Sequence, residues 1–215
     1  MNLKSNLDFV KKTLTTQTLI VATKYVDYPV IRELFDLGVK DVGENRVQDM
    51  LRKKNALSNL PIRWHFIGHL QSNKVKSMIN QIDCLHSLDS LKLAETIQNE
   101  RKEKLDCFIE VKLTSEPNKT GVSPDLLVDF VKKLERYDII NIVGLMGMAE
   151  ANGSETDTFE SFNRLRALRD DIRILHLPYA PCEYLSMGMS DDYLIAIACG
   201  ATHVRLGSIL FRNEE

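Results

Sequence analysis

The chain alternates between continuous apolar runs and longer stretches of helical spacing. The runs fall at residues 18–23, 39–42, 62–67, 82–85, 107–113, 139–146 and 202–206, with one more that begins at 172–175 and closes at 184–187. They are unbroken rather than alternating, which is the pattern of strands covered on both faces in a parallel sheet. Strand followed by helix repeats about eight times, and that count predicts a closed (β/α)8 TIM barrel. A doubly wound open sheet is the alternative, but no Gly-x-Gly-x-x-Gly follows the first strand. Leu3, Leu7, Val10 and Leu14 recur at helical spacing ahead of that strand, so the barrel carries an extra N-terminal helix.

Local signals place the helices. Pro29 opens one that stops at Gly38, Ser72 caps one over 73–81, and Ser123-Pro124-Asp125 starts another. Ser190-Asp191-Asp192 opens a helix ended by Gly200, and 208–212 forms a short closing helix. The stretch 176–182, His-Leu-Pro-Tyr-Ala-Pro-Cys, is an awkward turn with no assigned place. A length of 215 residues with 44% hydrophobic and 27% charged side chains suits one domain over 1–215. A net charge of -2 gives no reason to expect nucleic acid or an anionic membrane as partner. No run is long enough to span a bilayer and no leader is evident, so a cytoplasmic protein is expected. Cys84, Cys107, Cys182 and Cys199 show no Cys-x-x-Cys pair; Cys84, Cys107 and Cys199 sit in apolar runs and read as reduced core residues.

In such barrels chemistry gathers at the C-terminal ends of the strands. Those ends carry Lys24, Asn45, the 65–69 segment, His86, Lys112, Met146, Ser186 and Arg205. A desolvated Lys24 amine would attack an aldehyde; the alternative is a solvated lysine, and Lys112 and Lys119 are rival amines. Ser186-Met187-Gly188 and Gly207-Ser208-Ile209 follow the seventh and eighth strands, where barrels often hold phosphate on backbone N–H groups and hydroxyls. An amine and a phosphate cradle at one end of a barrel point to pyridoxal phosphate held as a Schiff base. Arg205 either faces the pyridine nitrogen, keeping it unprotonated, or pairs with an acid across the mouth. His65 reads as a core or supporting histidine. His69 and His86 are too scattered in sequence for a metal site.

The runs Val21-Ala22-Thr23-Lys24, Gly43-Glu44-Asn45-Arg46-Val47-Gln48, Trp64-His65-Phe66-Ile67-Gly68-His69-Leu70-Gln71-Ser72-Asn73-Lys74, Gly144-Leu145-Met146, Leu185-Ser186-Met187-Gly188-Met189-Ser190-Asp191-Asp192 and Val204-Arg205-Leu206-Gly207-Ser208 extend from the first strand to the last. In them the chain resembles the pyridoxal phosphate homeostasis family, whose fold is that of the alanine racemase N-terminal barrel. The resemblance implies pyridoxal 5'-phosphate on Lys24, with Asn45 and His65 beside the ring and Met146 in the pocket. It implies Ser186, Met187, Gly207 and Ser208 around the phosphate and Arg205 at the ring nitrogen. It implies a non-catalytic, monomeric carrier in vitamin B6 and amino-acid balance, with apo-enzymes that use the cofactor as acceptors. The family usually has serine where Thr23 stands. A weak racemase is the alternative. Alanine racemase takes its second base from another domain, and none is expected in a chain ending at Glu215. A cofactor-free Schiff-base aldolase is a third reading.

Overall fold

In a computed structural model, describing residues 3–114, 120–150 and 153–212, eight parallel strands close into a barrel. They are β1 (Thr18–Ala22), β2 (Asp41–Glu44), β3 (Arg63–Phe66), β4 (Cys84–Leu88), β5 (Leu105–Glu110), β6 (Ile140–Met146), β7 (Tyr184–Ser186) and β8 (His203–Leu206). Each pairs with the next, and β8 closes on β1, with Leu19 opposite Val204 and Ile20 opposite Arg205. The (β/α)8 barrel and the helix ahead of it, α1 (Leu3–Thr13), are as the sequence predicts.

Helices α2 (Tyr28–Asp36), α3 (Val47–Ala56), α4 (Val75–Met78), α5 (Leu91–Glu100), α6 (Leu127–Lys133), α7 (Glu155–Arg173) and α8 (Tyr193–Ala198) cover the strands, and α9 (Ser208–Phe211) follows the last. Asp27 caps α2 by accepting from the Tyr28 N–H, Pro29 sits in its first turn, and Gly38 after it has φ +88°. Ser154 and Asp157 form a reciprocal capping box on α7.

Several boundaries differ from the sequence reading. Ser72 and Ser123 make no side-chain caps; Ser72–Lys74 and Pro124–Leu126 are 3-10 turns that lead into short α4 and α6. What fixes these segments is burial at helical spacing, of Val75, Met78 and Ile79 in one and of Leu127, Phe130 and Val131 in the other. Strand β2 starts at Asp41 because the Val39 N–H is spent on the Leu34 carbonyl, closing α2. Residues 172–173 finish α7 and 174–175 turn out of it, rather than begin a strand. The 176–182 turn has two left-handed non-glycine residues, His176 (φ +51°) and Cys182 (φ +48°). It folds along β6: the Ile142 N–H donates to the Tyr179 carbonyl, and the Cys182 N–H to the Ile142 carbonyl.

Most apolar burial lies between strands and helices, in one cluster that includes Trp64, Phe66, Leu85 and Leu185. A second, small cluster of Cys84, Phe108, Val143 and Met146 is separate from it. One polar side chain joins the two ends of the chain. Asn6, on the buried face of α1, donates to the Leu210 and Arg212 carbonyls, both at 3.0 Å. Those carbonyls lie at the end of α9, where an α-helix leaves its last carbonyls without intrahelical donors. Asn6→Leu strips their donor, and urea unfolding should show a loss of about 1–3 kcal/mol.

Candidate functional site

Lys24 leaves the barrel directly after β1, exposed, with its Nζ 4.7 Å from the centroid of the Tyr25 ring. The residue before it is tightly held. The Thr23 hydroxyl donates to Glu44 Oε1 at 2.5 Å, and Lys53 Nζ donates to the same oxygen at 2.6 Å and to the Thr23 carbonyl at 2.9 Å. Thr23 and Glu44 are fully buried and Lys53 is 2% exposed. A buried ion pair thus clamps the strand exit from which the amine projects. The clamp uses the Thr23 hydroxyl, a group that serine would also supply. Sequence reasoning passed over Glu44 and Lys53. The signal was present: Met50, Lys53 and Leu57 share one spacing, so a lysine occupies a core position.

The exit of β8 lies against that of β1. A Cβ at Gly207 would lie 3.0 Å from the Ala22 carbonyl oxygen, so a larger residue would press the two strand exits apart by a few tenths of an ångström. The N–H groups of Gly207 and Ile209 both point at the Ser190 hydroxyl oxygen, at 3.3 and 3.2 Å. Two N–H groups converging on one oxygen are the arrangement that accepts a phosphate oxygen. Ser190 is here a ligand of this loop rather than a helix start. Ser208 beside it is half-buried. Gly188, at φ +94°, lets the chain after β7 turn back so that its carbonyl accepts from the Arg205 N–H. Met187 is buried and donates its N–H to the His203 carbonyl.

Arg205 is buried inside the barrel. Its Nη1 donates to the Ser186 carbonyl at 2.8 Å and to the Ser186 hydroxyl at 2.7 Å, and Nη2 to the Gly147 carbonyl, next to Met146, at 3.3 Å. Burial pushes the guanidinium down to about 10, with Asp192 and Glu110 opposing, so it stays cationic at neutral pH. Burial raises Glu110, at the end of β5, against the hydrogen bond it accepts from the Thr120 hydroxyl. Glu110 lines a cavity of about 310 Å³ at the mouth, with His69, Lys112 and Met148.

Ser186 starts a chain of side chains across the barrel. Its hydroxyl meets His86 Nδ1 at 2.8 Å, His86 Nε2 meets His65 Nδ1 at 3.0 Å, and His65 Nε2 meets Asp41 Oδ1 at 3.0 Å. The ends fix every proton. Arg205 only donates, and ionised Asp41 only accepts. With both imidazoles neutral, Ser186 donates to His86, His86 to His65, and His65 to Asp41. Burial pushes Asp41 up, but the hydrogen bonds from His65 and Arg63 outweigh it and hold the carboxyl below its ordinary value. Burial, first of all, and the nearby Arg205 charge keep His86 well below the usual histidine range.

This chain corrects two expectations. His86 lies inside β4, not at its exit, stacked on Phe108 with centroids 4.4 Å apart. His65 does not sit among the strand exits. It faces a cavity of about 550 Å³ at the N-terminal ends of the strands, with Asp41, Arg63, Asp83, Cys84, Asp106 and His203. Ser186 meets the Arg205 guanidinium directly, while Met146 and Met187 are buried in different apolar clusters. Asn45, half-buried, lines another cleft with Arg46, Phe66 and His69. Lys112 is half-buried at the mouth, and Lys119 falls outside the described residues. His203 was not anticipated; burial lowers it to about 4.

The chain matches the model of the family described as alanine racemase, N-terminal domain, over residues 1–214. It is 40% identical to the pyridoxal phosphate homeostasis protein of Aquifex aeolicus, across 92% of this chain and 87% of that one. It is 34% identical to the protein of that name from Pseudomonas aeruginosa, across 93% and 86%. Among solved structures it is similar to PipY of Synechococcus elongatus with PLP bound, with a TM-score of 0.91 and 32% identity over 98% of this chain and 100% of that one. An alanine racemase from Clostridium difficile shares the barrel, with a TM-score of 0.83 but 18% identity, over 99% of this chain and 57% of that one.

Two outcomes follow from the buried groups. Lys53→Met leaves the Glu44 carboxylate without its cation and should cost about 3–5 kcal/mol in denaturant unfolding; adding Glu44→Gln should recover much of that. His203 is held neutral in the fold, so the unfolded chain binds the extra proton. Stability should therefore fall as pH drops from about 6.5 towards about 4, and His203→Gln should flatten that part of the profile.

Proposed function

We propose, for a chain that belongs to the pyridoxal phosphate homeostasis proteins within the alanine racemase N-terminal domain family, that it holds pyridoxal 5'-phosphate covalently through Lys24 and carries it without turning it over. One observation carries this reading: the exits of β1 and β8 touch at Ala22 and Gly207, bringing an amine and a pair of inward N–H groups to the same rim. The residues fit the cofactor. The Gly207 and Ile209 N–H groups, with Ser190 and Ser208, would hold phosphate, and Met187 would pack behind them. Arg205 would face the ring nitrogen, fixed by Ser186 and the carbonyl after Met146. Asn45 would stand beside the ring from β2, and His65 would act only through His86 and Ser186.

Bound in this way, the cofactor supplies an electrophilic aldehyde, while its electron-withdrawing power stays weak because a permanent cation faces the ring nitrogen. That supports storage and transfer over catalysis. Lys24 is exposed, with its amine on the exposed ring of Tyr25, so the covalent link would form at the surface, where an apo-enzyme that uses the cofactor could receive it. The four cysteines are free, which supports a reducing cytoplasm. Among the described residues, no helix is long and apolar enough to cross a membrane. The chain acts as one barrel unit and as a monomer in this reading.

Tyr25 also favours a second reading. A phenol against the lysine is the kind of group that moves a proton at an amino-acid α-carbon, so a slow racemase built on Lys24 and Tyr25 is the alternative. The deciding experiment is the visible spectrum of the purified protein, then borohydride reduction and peptide mapping. We expect a yellow protein with the label on Lys24. Lys24→Ala should lose the label and keep weak, phosphate-anchored binding; a label on another lysine would overturn the assignment. Exchange of an amino acid's α-hydrogen for deuterium, lost in Tyr25→Phe, would establish the racemase instead.

A further inference from the structure

The N-terminal face of the barrel holds a second group of reactive side chains, on the opposite side from Lys24. His65 and Cys84 are register partners on β3 and β4, and Cys84 and His86 alternate onto the same face of β4. Their ligand atoms all lie within 4.8 Å of one another, and the two facing imidazole nitrogens, His65 Nδ1 and His86 Nε2, are 3.0 Å apart. All three side chains are buried. We infer that His65, Cys84 and His86 form a binding site for one soft monovalent metal ion, with the ligand preferences of Cu(I).

Three observations carry this. First, each histidine already has its outer nitrogen fixed. His65 Nε2 is held by the Asp41 carboxylate at 3.0 Å and His86 Nδ1 by the Ser186 hydroxyl at 2.8 Å, which turns the other nitrogen of each ring inward. A carboxylate behind a histidine is the usual support of a metal-binding imidazole, fixing its tautomer and raising its basicity. Second, the site has an approach of the right sign. The cavity that reaches His65 and Cys84 is lined by Asp41, Asp83 and Asp106, with Arg63 as its one lining lysine or arginine. Third, charge selects the ion. A thiolate and two neutral imidazoles leave Cu(I) with zero net charge inside the barrel. A divalent ion would leave one more positive charge in the same interior as Arg205. Thiolate and imidazole are also the ligands that soft ions favour.

The proton balance is simple. Binding releases the Cys84 thiol proton to solvent. The His86 proton moves from Nε2 to Nδ1, and the Ser186 hydroxyl turns its own hydrogen away from His86, giving up that acceptor, so that its oxygen accepts from both Arg205 and His86.

The test is an anaerobic titration of the reduced, cofactor-loaded protein with Cu(I) against the chromogenic chelator bicinchoninate. We expect one equivalent to be withheld from the chelator. Cys84→Ala should lose that equivalent, while the triple variant Cys107→Ser, Cys182→Ser, Cys199→Ser keeps it. Asp41→Asn, at the rim, should weaken binding about 10–100-fold. X-ray absorption on the wild-type protein decides the matter even if the core variants fail to fold: one sulfur and two nitrogen ligands support the site, and any other set overturns it. It is equally overturned if the chelator strips all copper from the wild type, if Cys84→Ala retains the equivalent, or if Zn(II) displaces Cu(I).

Discussion

A guanidinium inside a closed barrel dominates this structure. Burying a charge costs several kcal/mol unless its hydrogens are matched, and Arg205 is only 5% exposed. The answer is a set of acceptors drawn from two neighbouring strand ends: the Ser186 carbonyl and hydroxyl and the Gly147 carbonyl. That demand explains local features with no other evident cause. Strand β7 is only three residues long, which frees the backbone after it to turn at Gly188 and return a carbonyl to the Arg205 N–H. The Ser186 hydroxyl, having accepted from a cation, passes its own proton on to His86. The polar chain to Asp41 then follows as the way to leave no buried hydrogen unpaired.

Barrels of this kind usually fill their interior with bulky apolar layers. This one gives much of the space to a line of dipoles running from a cation near one mouth to an anion near the other. A small apolar cluster of Cys84, Phe108, Val143 and Met146 lies apart from the main core. The two ends of the barrel are therefore joined electrically as well as sterically. Arg63 and Asp41 mark one end, and Arg205, with Asp192 and Glu110 near it, marks the other.

How much of this could be read from the residues depends on the range of the interaction. The strand runs, the eightfold alternation and the exits carrying Lys24, Ser186 and Arg205 are local patterns, and they were legible. Strand limits were less so. Val39 looks like strand and serves instead to close α2, and the 82–85 run hid the fact that β4 continues through His86 to Leu88. The chain from Ser186 to Asp41 was invisible because β4 and β7 meet only across the lumen, and one of its bonds spans 100 residues of sequence. The same distance hid the meeting of His65, Cys84 and His86, which no linear spacing marks. Lys53 was different: its signal was local, a charge at an apolar position, and it was overlooked because a lysine on a helix is usually at the surface.

The tie between Asn6 and the last helix bears on how the molecule is made. Asn6 on α1 donates to carbonyls that come 204 and 206 residues later in the chain. The rim formed by Ser190, Gly207 and Ile209 belongs to the same late segment. A chain still growing on the ribosome thus has its amine in place long before it has anything to hold the other end of a ligand. Closure of β8 on β1 is a single long-range event, entropically expensive and slow compared with forming the helices. It completes the barrel and the rim together, so only the finished protein can take up a ligand there, and a ligand bound there rewards that same final step.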